Sequence, residues 1–84
     1  QYFAQALNKA TVRRQESEAA AASEWLGQVY YGFGDYKQAL SHAFASLRVR
    51  EKIGDKKGAA QSRMLIGAVY EAWGEPDKAL NQYE

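Results

Sequence analysis

The chain has 84 residues, enough for one small domain and no more. Hydrophobic residues make up 46% of it, too many for a disordered segment, and the presence of a single proline favours helix. With no cysteine and a net charge of +1, the composition excludes disulfides and thiolate metal sites, and it provides no general attraction to nucleic acid or anionic lipid.

The first predicted helix lies near the amino terminus. Its apolar positions recur at helical spacing and are Tyr2, Phe3, Ala6, Leu7 and Ala10. Ser17 is the best candidate N-cap for a break between Arg13 and Ser17, although neither Gly nor Pro occurs between Gln1 and Tyr31. A continuous helix across this region is therefore the alternative, and it would permit exchange of helices between chains.

The next predicted helix has apolar residues that recur from Ala22 onward. Its apolar face comprises Ala22, Leu26, Val29, Tyr30 and Phe33. Gly34 ends this helix, and Asp35 can cap the following one because a carboxylate accepts the free N–H groups of a first turn. That following helix extends to about Ile53, with apolar positions at Tyr36, Leu40, Ala43, Phe44 and Leu47.

Gly54 and Asp55 repeat the signal for a helix end and a new helix start. The apolar positions of the third helix are Leu65, Ile66, Val69, Tyr70 and Trp73. Gly74 ends it, and Pro76 suits the first position of a fourth helix, where its missing N–H has no cost. The apolar residues of the fourth helix are Ala79, Leu80 and Tyr83.

The chain repeats itself at an offset of 40 residues. The identical pairs are Ala20 and Ala60, Gly27 and Gly67, Val29 and Val69, Tyr30 and Tyr70, Gly34 and Gly74, Ala39 and Ala79, and Leu40 and Leu80. Such a period is typical of a solenoid, in which each unit buries its apolar face against its neighbours. Gly inside a helix costs about 1 kcal/mol relative to Ala. We therefore expect Gly27 and Gly67 to allow close approach of facing helices at Ala39 and Ala79.

These residues carry a family resemblance. The run Leu26-Gly27-Gln28-Val29-Tyr30-Tyr31, then Gly34-Asp35-Tyr36 and Ala39-Leu40, resembles the tetratricopeptide repeat. A second copy reads Ile66-Gly67-Ala68-Val69-Tyr70, then Gly74-Glu75-Pro76 and Ala79-Leu80. The offset is 40 residues, whereas the usual unit has about 34, so the repeat is of a long type.

The resemblance implies an all-α fold of antiparallel helix-turn-helix repeats stacked as an α-solenoid. We expect residues 1–14 to form the second helix of a partial upstream repeat and residues 15–54 to form a complete repeat. Residues 55–84 would be a second repeat, truncated in its second helix.

The resemblance also implies a function: a protein-interaction module that presents a concave groove to a partner peptide or helix, as part of a larger scaffold or signalling protein. The groove positions carried over from the family are Ala21, Glu24, Gln28, Tyr31, Gln61, Met64, Ala68 and Glu71. Glu24 and Glu71 would suit a basic or polar peptide, or they are simply solvated carboxylates. Gln28 and Ala68 depart from the Asn often found at their positions in long repeats. The alternative function is self-assembly through exposed repeat ends, at apolar residues such as Leu40, Leu80 and Tyr83.

Other candidate sites have weaker support. A basic cluster comprises Arg48, Arg50, Lys52, Lys56, Lys57 and Arg63, but acidic residues interrupt it and the helix dipole favours cations there, so we do not expect nucleic acid binding. The single histidine, His42, has no metal-ligand spacing around it and is expected at a surface or boundary position. Trp25 and Trp73 are expected to pack in the core. We predict no catalytic residue, metal or cofactor.

The sequence contains no signal peptide and no apolar run near the ~20 residues needed to cross a bilayer, so we expect no membrane partner. Together with the lack of cysteine, this leads us to expect a cytoplasmic setting. The chain begins at Gln1 rather than Met and stops within a helical pattern, and we expect it to be a piece of a longer protein.

Overall fold

The computed structural model describes residues 2–74, with side chains from residue 11 onward. This part of the chain forms helices α1 (Tyr2–Phe33), α2 (Tyr36–Lys52) and α3 (Lys56–Trp73). Short turns connect them, so that consecutive helices are antiparallel, and α2 packs against both α1 and α3. The predicted all-α architecture of helix-turn-helix repeats is confirmed. The predicted fourth helix lies outside the described residues.

Both interhelical turns use the same local chemistry. Gly34 and Gly54 adopt the left-handed conformation, with φ of +81° and +77°. After each glycine, the next N–H donates to a carbonyl five residues back: Asp35 N to Tyr30 O at 2.9 Å, and Asp55 N to Arg50 O at 2.8 Å. The predicted stops at these two glycines are confirmed.

Each aspartate also caps the helix that follows it. The Asp35 side chain accepts from the Gln38 N–H at 3.3 Å, and Asp55 Oδ1 accepts from the Gly58 N–H at 2.9 Å. These bonds satisfy N–H groups that have no partner within the helix. The starts of α2 and α3 therefore follow from the sequence almost to the residue.

The core lies between α2 and α3. Its buried apolar residues are Ala39, Leu40, Ala43, Leu47, Ala59, Ile66 and Val69. The self-assembly alternative required Leu40 to be exposed, and this was wrong: it is only 9% exposed, because α2 is covered by helices on two sides.

Helix α1 lies close to both other helices at Gly27. A Cβ atom added there would lie 3.3 Å from the Ala39 carbonyl oxygen and 3.1 Å from Cδ2 of Leu65. The prediction that Gly27 allows close approach at Ala39 is confirmed. Gly67 is buried as well, but Ala79, its expected partner, lies outside the described residues.

The first helix does not break. The expected interruption between Arg13 and Ser17 was wrong, and the alternative of one continuous helix is confirmed. Arg14 occupies the position that Gly54 has one repeat later, so neither a left-handed residue nor a Gly stop is present to end the helix. The expected boundary between residues 14 and 15 therefore falls inside α1.

Much of the predicted apolar face of α1 is exposed. Phe33 is 80% exposed and Leu26 41%, while Val29 and Tyr30 are half-buried. Trp25 was expected to pack in the core, but it is 64% exposed. The reason is that α1 is one continuous helix, so its first residues do not return to cover these side chains.

Candidate functional site

The predicted groove residues lie along α1 and α3, which pack side by side on α2. Six of the eight predicted positions are exposed: Ala21, Gln28, Tyr31, Gln61, Met64 and Glu71. Glu24 and Ala68 are half-buried. The spacing of three or four residues within each set keeps the members on one side of their helix.

Tyr31 and Met64 are the large apolar groups of this set. Tyr31 is 37% exposed and Met64 62%, so both present apolar surface to solvent. Gln28 and Gln61 provide exposed amides, each with donors and an acceptor. The surface therefore combines hydrogen-bonding groups with apolar contact area, a composition suited to a peptide.

Glu24 differs from the other groove positions. Its Oε1 accepts from Arg50 Nη1 at 2.8 Å, and the two side chains are 17% and 9% exposed, respectively. The expectation of a solvated carboxylate was wrong for Glu24, because its charge is already neutralised by a buried cation. Glu71 lies at an exposed position of α3.

Arg50 connects all three described helices. In addition to Glu24 in α1, Nη1 lies 2.9 Å from Ser62 Oγ and 3.1 Å from the Gly58 carbonyl oxygen, both in α3. Ser62 Oγ is also 3.0 Å from Ser46 Oγ in α2. We call Glu24, Ser46, Arg50, Gly58 and Ser62 the Arg50 network. Among the described residues, no buried side-chain polar atom lacks a hydrogen-bond partner.

Gly58 makes room for this arginine. A Cβ atom at Gly58 would lie 2.9 Å from Arg50 Cδ and 2.8 Å from Asp55 Cγ, closer than Cβ contacts in real structures. A side chain at this position would therefore displace Arg50, the Asp55 cap or both. The absence of a side chain at Gly58 is therefore part of the Arg50 network.

Arg50 belongs to the basic cluster predicted from the sequence, but its burial and its contacts with two other helices were not predicted. The missed signal was its position: Arg50 continues the stripe of buried α2 residues formed by Ala43, Ser46 and Leu47. A cation in register with a core face needs a buried partner, and a carboxylate was available at Glu24.

Two other members of the basic cluster are also paired. Lys52 Nζ lies 2.8 Å from Glu16 Oε1, and Arg63 Nη2 lies 3.0 Å from Glu51 Oε2. An open cleft of about 430 Å³ lies beside the second turn, lined by Arg50, Glu51, Gly54, Asp55, Lys56, Ala59 and Arg63. The carboxylates of Glu51 and Asp55 accompany its basic residues, so the cleft has mixed charge.

Aromatic rings connect the helix ends near Gly34. The ring centroid of Tyr36 lies 6.2 Å from that of Tyr31 and 6.3 Å from that of Trp73. Trp73 was expected to pack between helices; it contacts Tyr36 but is 50% exposed. His42 is half-buried and stacks parallel to Tyr30 at 5.4 Å, as suits a boundary residue.

Within residues 2–74, no group of three or more His, Cys, Asp or Glu side chains is placed to hold a metal ion. Over the same residues, no helix is both long and apolar enough to cross a membrane.

Comparison with known proteins gave one match. A family model described as tetratricopeptide repeat matches residues 17–84. No curated protein and no solved structure matches the chain significantly.

Proposed function

Because the chain belongs to the tetratricopeptide repeat family, we propose that it binds a partner peptide or helix in the groove formed by α1 and α3. Repeats of this family generally mediate protein–protein interaction and are not enzymatic.

The groove is supported most directly by the contacts that hold α1 and α3 in fixed positions on α2. The Arg50 network ties the middle of α1 to the first turns of α3, and Gly27 brings α1 into contact with Leu65. A surface whose walls are already ordered loses little conformational entropy when a ligand binds. The exposed groove side chains are thus presented on a stable support.

The chemistry of the exposed residues indicates what would bind. Gln28 and Gln61 can hydrogen-bond a peptide backbone, while Tyr31 and Met64 offer apolar contact. Glu24 adds no net negative charge to the groove, because its carboxylate is neutralised by Arg50. We therefore propose an uncharged peptide with an apolar anchor, rather than a strongly basic one.

A protein ligand is favoured over nucleic acid for a similar reason. Arg50, Lys52 and Arg63 each pair with a carboxylate of the same chain, which lowers the net positive charge of the basic cluster. Binding to a phosphate backbone depends on such cations being available to replace counterions. The carboxylates of these pairs would compete with phosphate for the same cations.

The test is a random peptide display library selected against the chain, with the affinity of selected peptides measured by fluorescence anisotropy. Q28A/Y31A is expected to weaken their binding at least about tenfold, since the loss of 1.4 kcal/mol corresponds to that factor. The helical content measured by circular dichroism should remain unchanged, because both side chains are exposed.

The matched control is K37A/S41A, which alters two exposed positions of α2 outside the groove. It should leave the affinity unchanged. Equal binding by Q28A/Y31A and the original chain would contradict the groove assignment, as would a loss of binding in the control variant.

A further inference from the structure

One side of α1 carries apolar residues that nothing in the described chain covers. This side, the α1 outer face, comprises Ala19, Ala22, Leu26, Val29 and Phe33. All are exposed except Val29, which is half-buried. They recur at spacings of three and four residues and so form one stripe, on the opposite side of the helix from buried Ala20 and Gly27.

The residues 40 positions after most members of the α1 outer face lie in α3, and they are buried. Ala19, Ala22, Leu26 and Val29 correspond to Ala59, Ser62, Ile66 and Val69 of α3. The α3 residues are between 0% and 4% exposed and pack in one core with α2. The α1 outer face therefore has the form of a surface that accepts a helix equivalent to α2.

The segment equivalent to the second half of α2 is residues 2–12 of the same chain. Leu7 stands at the position of Leu47, and Phe3-Ala4 stands where α2 has Ala43-Phe44, with the large and small residues exchanged. The sequence of this segment is thus suited to the same kind of packing.

The buried side chains that make polar contacts between α2 and α3 have apolar equivalents 40 residues earlier in the sequence. Ser46 and Ser62, whose hydroxyls lie 3.0 Å apart, correspond to Ala6 and Ala22. Replacing both partners avoids the unpaired buried hydroxyl that a single replacement would leave. Arg50 likewise corresponds to Ala10, so the cation disappears along with its serine acceptor.

Gly58 and the residues that confine it are also replaced together at the equivalent positions 40 residues earlier. A side chain at Gly58 would be confined both by Arg50 Cδ and by the carboxylate of Asp55. The residues 40 positions earlier are Ala10, Gln15 and Glu18, so the side chain appears where both confining residues have been replaced. These exchanges match residues 2–12 to the α1 outer face.

A single chain cannot bring residues 2–12 into contact with its own α1 outer face. Helix α1 is uninterrupted at the position where Gly54 turns the chain one repeat later, and at 1.5 Å per residue it separates residues 6 and 22 by about 24 Å along its axis. The segment that matches the outer face therefore has to come from another molecule.

We propose that two copies of this chain pair through α1, antiparallel, with residues 2–12 of each copy covering the outer face of the other at Ala19, Ala22 and Leu26. The pairing is symmetric, with residue 6 of one copy opposite residue 22 of the other and the two-fold axis near Arg14. This surface is separate from the groove at Gln28 and Tyr31, so the inference does not depend on the proposed function.

The first test uses introduced cysteines, since the chain has none of its own. A6C and A22C are prepared separately, mixed and oxidised, and analysed by non-reducing electrophoresis. The mixture is expected to give a disulfide-linked dimer joining the two variants, because the equivalent hydroxyls are 3.0 Å apart. Neither variant alone should link.

Three outcomes would overturn the proposal. A22C linking to itself would show parallel pairing of α1. A disulfide within one chain of the A6C/A22C double variant, with no linkage in the mixture, would show that α1 folds back on itself. A monomeric mass by light scattering at every concentration would exclude the pair altogether.

A second test places a charge on the face. L26E should convert the dimer into a monomer of unchanged helical content, since Leu26 is already 41% exposed within one chain. M64E is the matched control, because Met64 is an exposed apolar residue of α3 away from this face, and it should remain dimeric. A dimeric L26E or a monomeric M64E would contradict the assignment.

A third test restores the missing turn. R14G/Q15D gives residues 14 and 15 the Gly-Asp pair that ends α2 and caps α3. This variant is expected to be monomeric, because residues 2–12 can then cover the outer face of their own chain. A variant that remains dimeric would count against the exchange of helices.

Discussion

Arg50 Nη1 donates to Glu24 Oε1 at 2.8 Å, and this ion pair joins the carboxyl-terminal end of α2 to the middle of α1 across 26 residues of sequence. Both side chains are largely removed from solvent. A buried charge is costly unless it is paired and hydrogen-bonded, so the contribution of each partner depends strongly on the other.

Removing the carboxylate is expected to be severely destabilising. E24A leaves the Arg50 guanidinium buried without a counter-charge, and we expect the free energy of unfolding to fall by about 3 kcal/mol. Urea denaturation followed by circular dichroism measures the change. E51A is the control: its partner Arg63 is 41% exposed, and this pair should contribute only ~0.5 kcal/mol. Equal losses in the two variants would show that burial of the Arg50 pair has no special effect.

Removing the cation as well is expected to recover part of that loss. In E24A/R50M no charge remains buried, and methionine keeps much of the volume of the arginine stem. We expect the double variant to be more stable than E24A by about 1 kcal/mol or more. If it unfolds at the same or a lower urea concentration than E24A, the cost of E24A does not come from an uncompensated charge.

Two glycines of α1 provide a matched pair of substitutions. G27A adds a methyl group 3.3 Å from the backbone oxygen of Ala39, and we expect a loss of about 1–3 kcal/mol from overpacking. G32A meets nothing within 4 Å and should be stabilising by about 0.5–1 kcal/mol, because alanine is the better helix former. Thermal unfolding of both variants measures these changes in stability. Stabilisation by G27A would mean that the contact at Ala39 is not tight.

The two aspartate caps are expected to differ. The bond from the Gly58 N–H to Asp55 Oδ1 is 2.9 Å long, whereas that from the Gln38 N–H to Asp35 Oδ1 is 3.3 Å. D55A should therefore cost about 1 kcal/mol and D35A less, as measured by chemical denaturation. A larger loss in D35A would contradict the ranking by geometry.

The elements that could be predicted from the sequence are those whose causes are local. Gly34 with Asp35, and Gly54 with Asp55, end one helix and begin the next through hydrogen bonds within a few residues. The close approach at Gly27 also followed, because the offset pairs this glycine with Gly67 and so indicated a shared packing role.

What could not be predicted depends on partners distant in sequence. The burial of Arg50 requires Glu24 and Ser62, which lie on two other helices, and a charged residue near a helix end normally indicates solvent. The exposure of Trp25 and Leu26 follows from the path of α1, and local signals between Arg13 and Ser17 left that path open. The groove assignment itself remains a prediction, because it concerns a ligand.

The Arg50 network has a further consequence, for how the molecule unfolds. In most solenoids each unit contacts only its neighbours, so terminal units can fray while the others stay folded. Here one nitrogen atom bonds to groups from α1 and α3 at the end of α2, so separation of any of the three helices breaks at least one hydrogen bond to this buried cation. We therefore expect the three helices to unfold together.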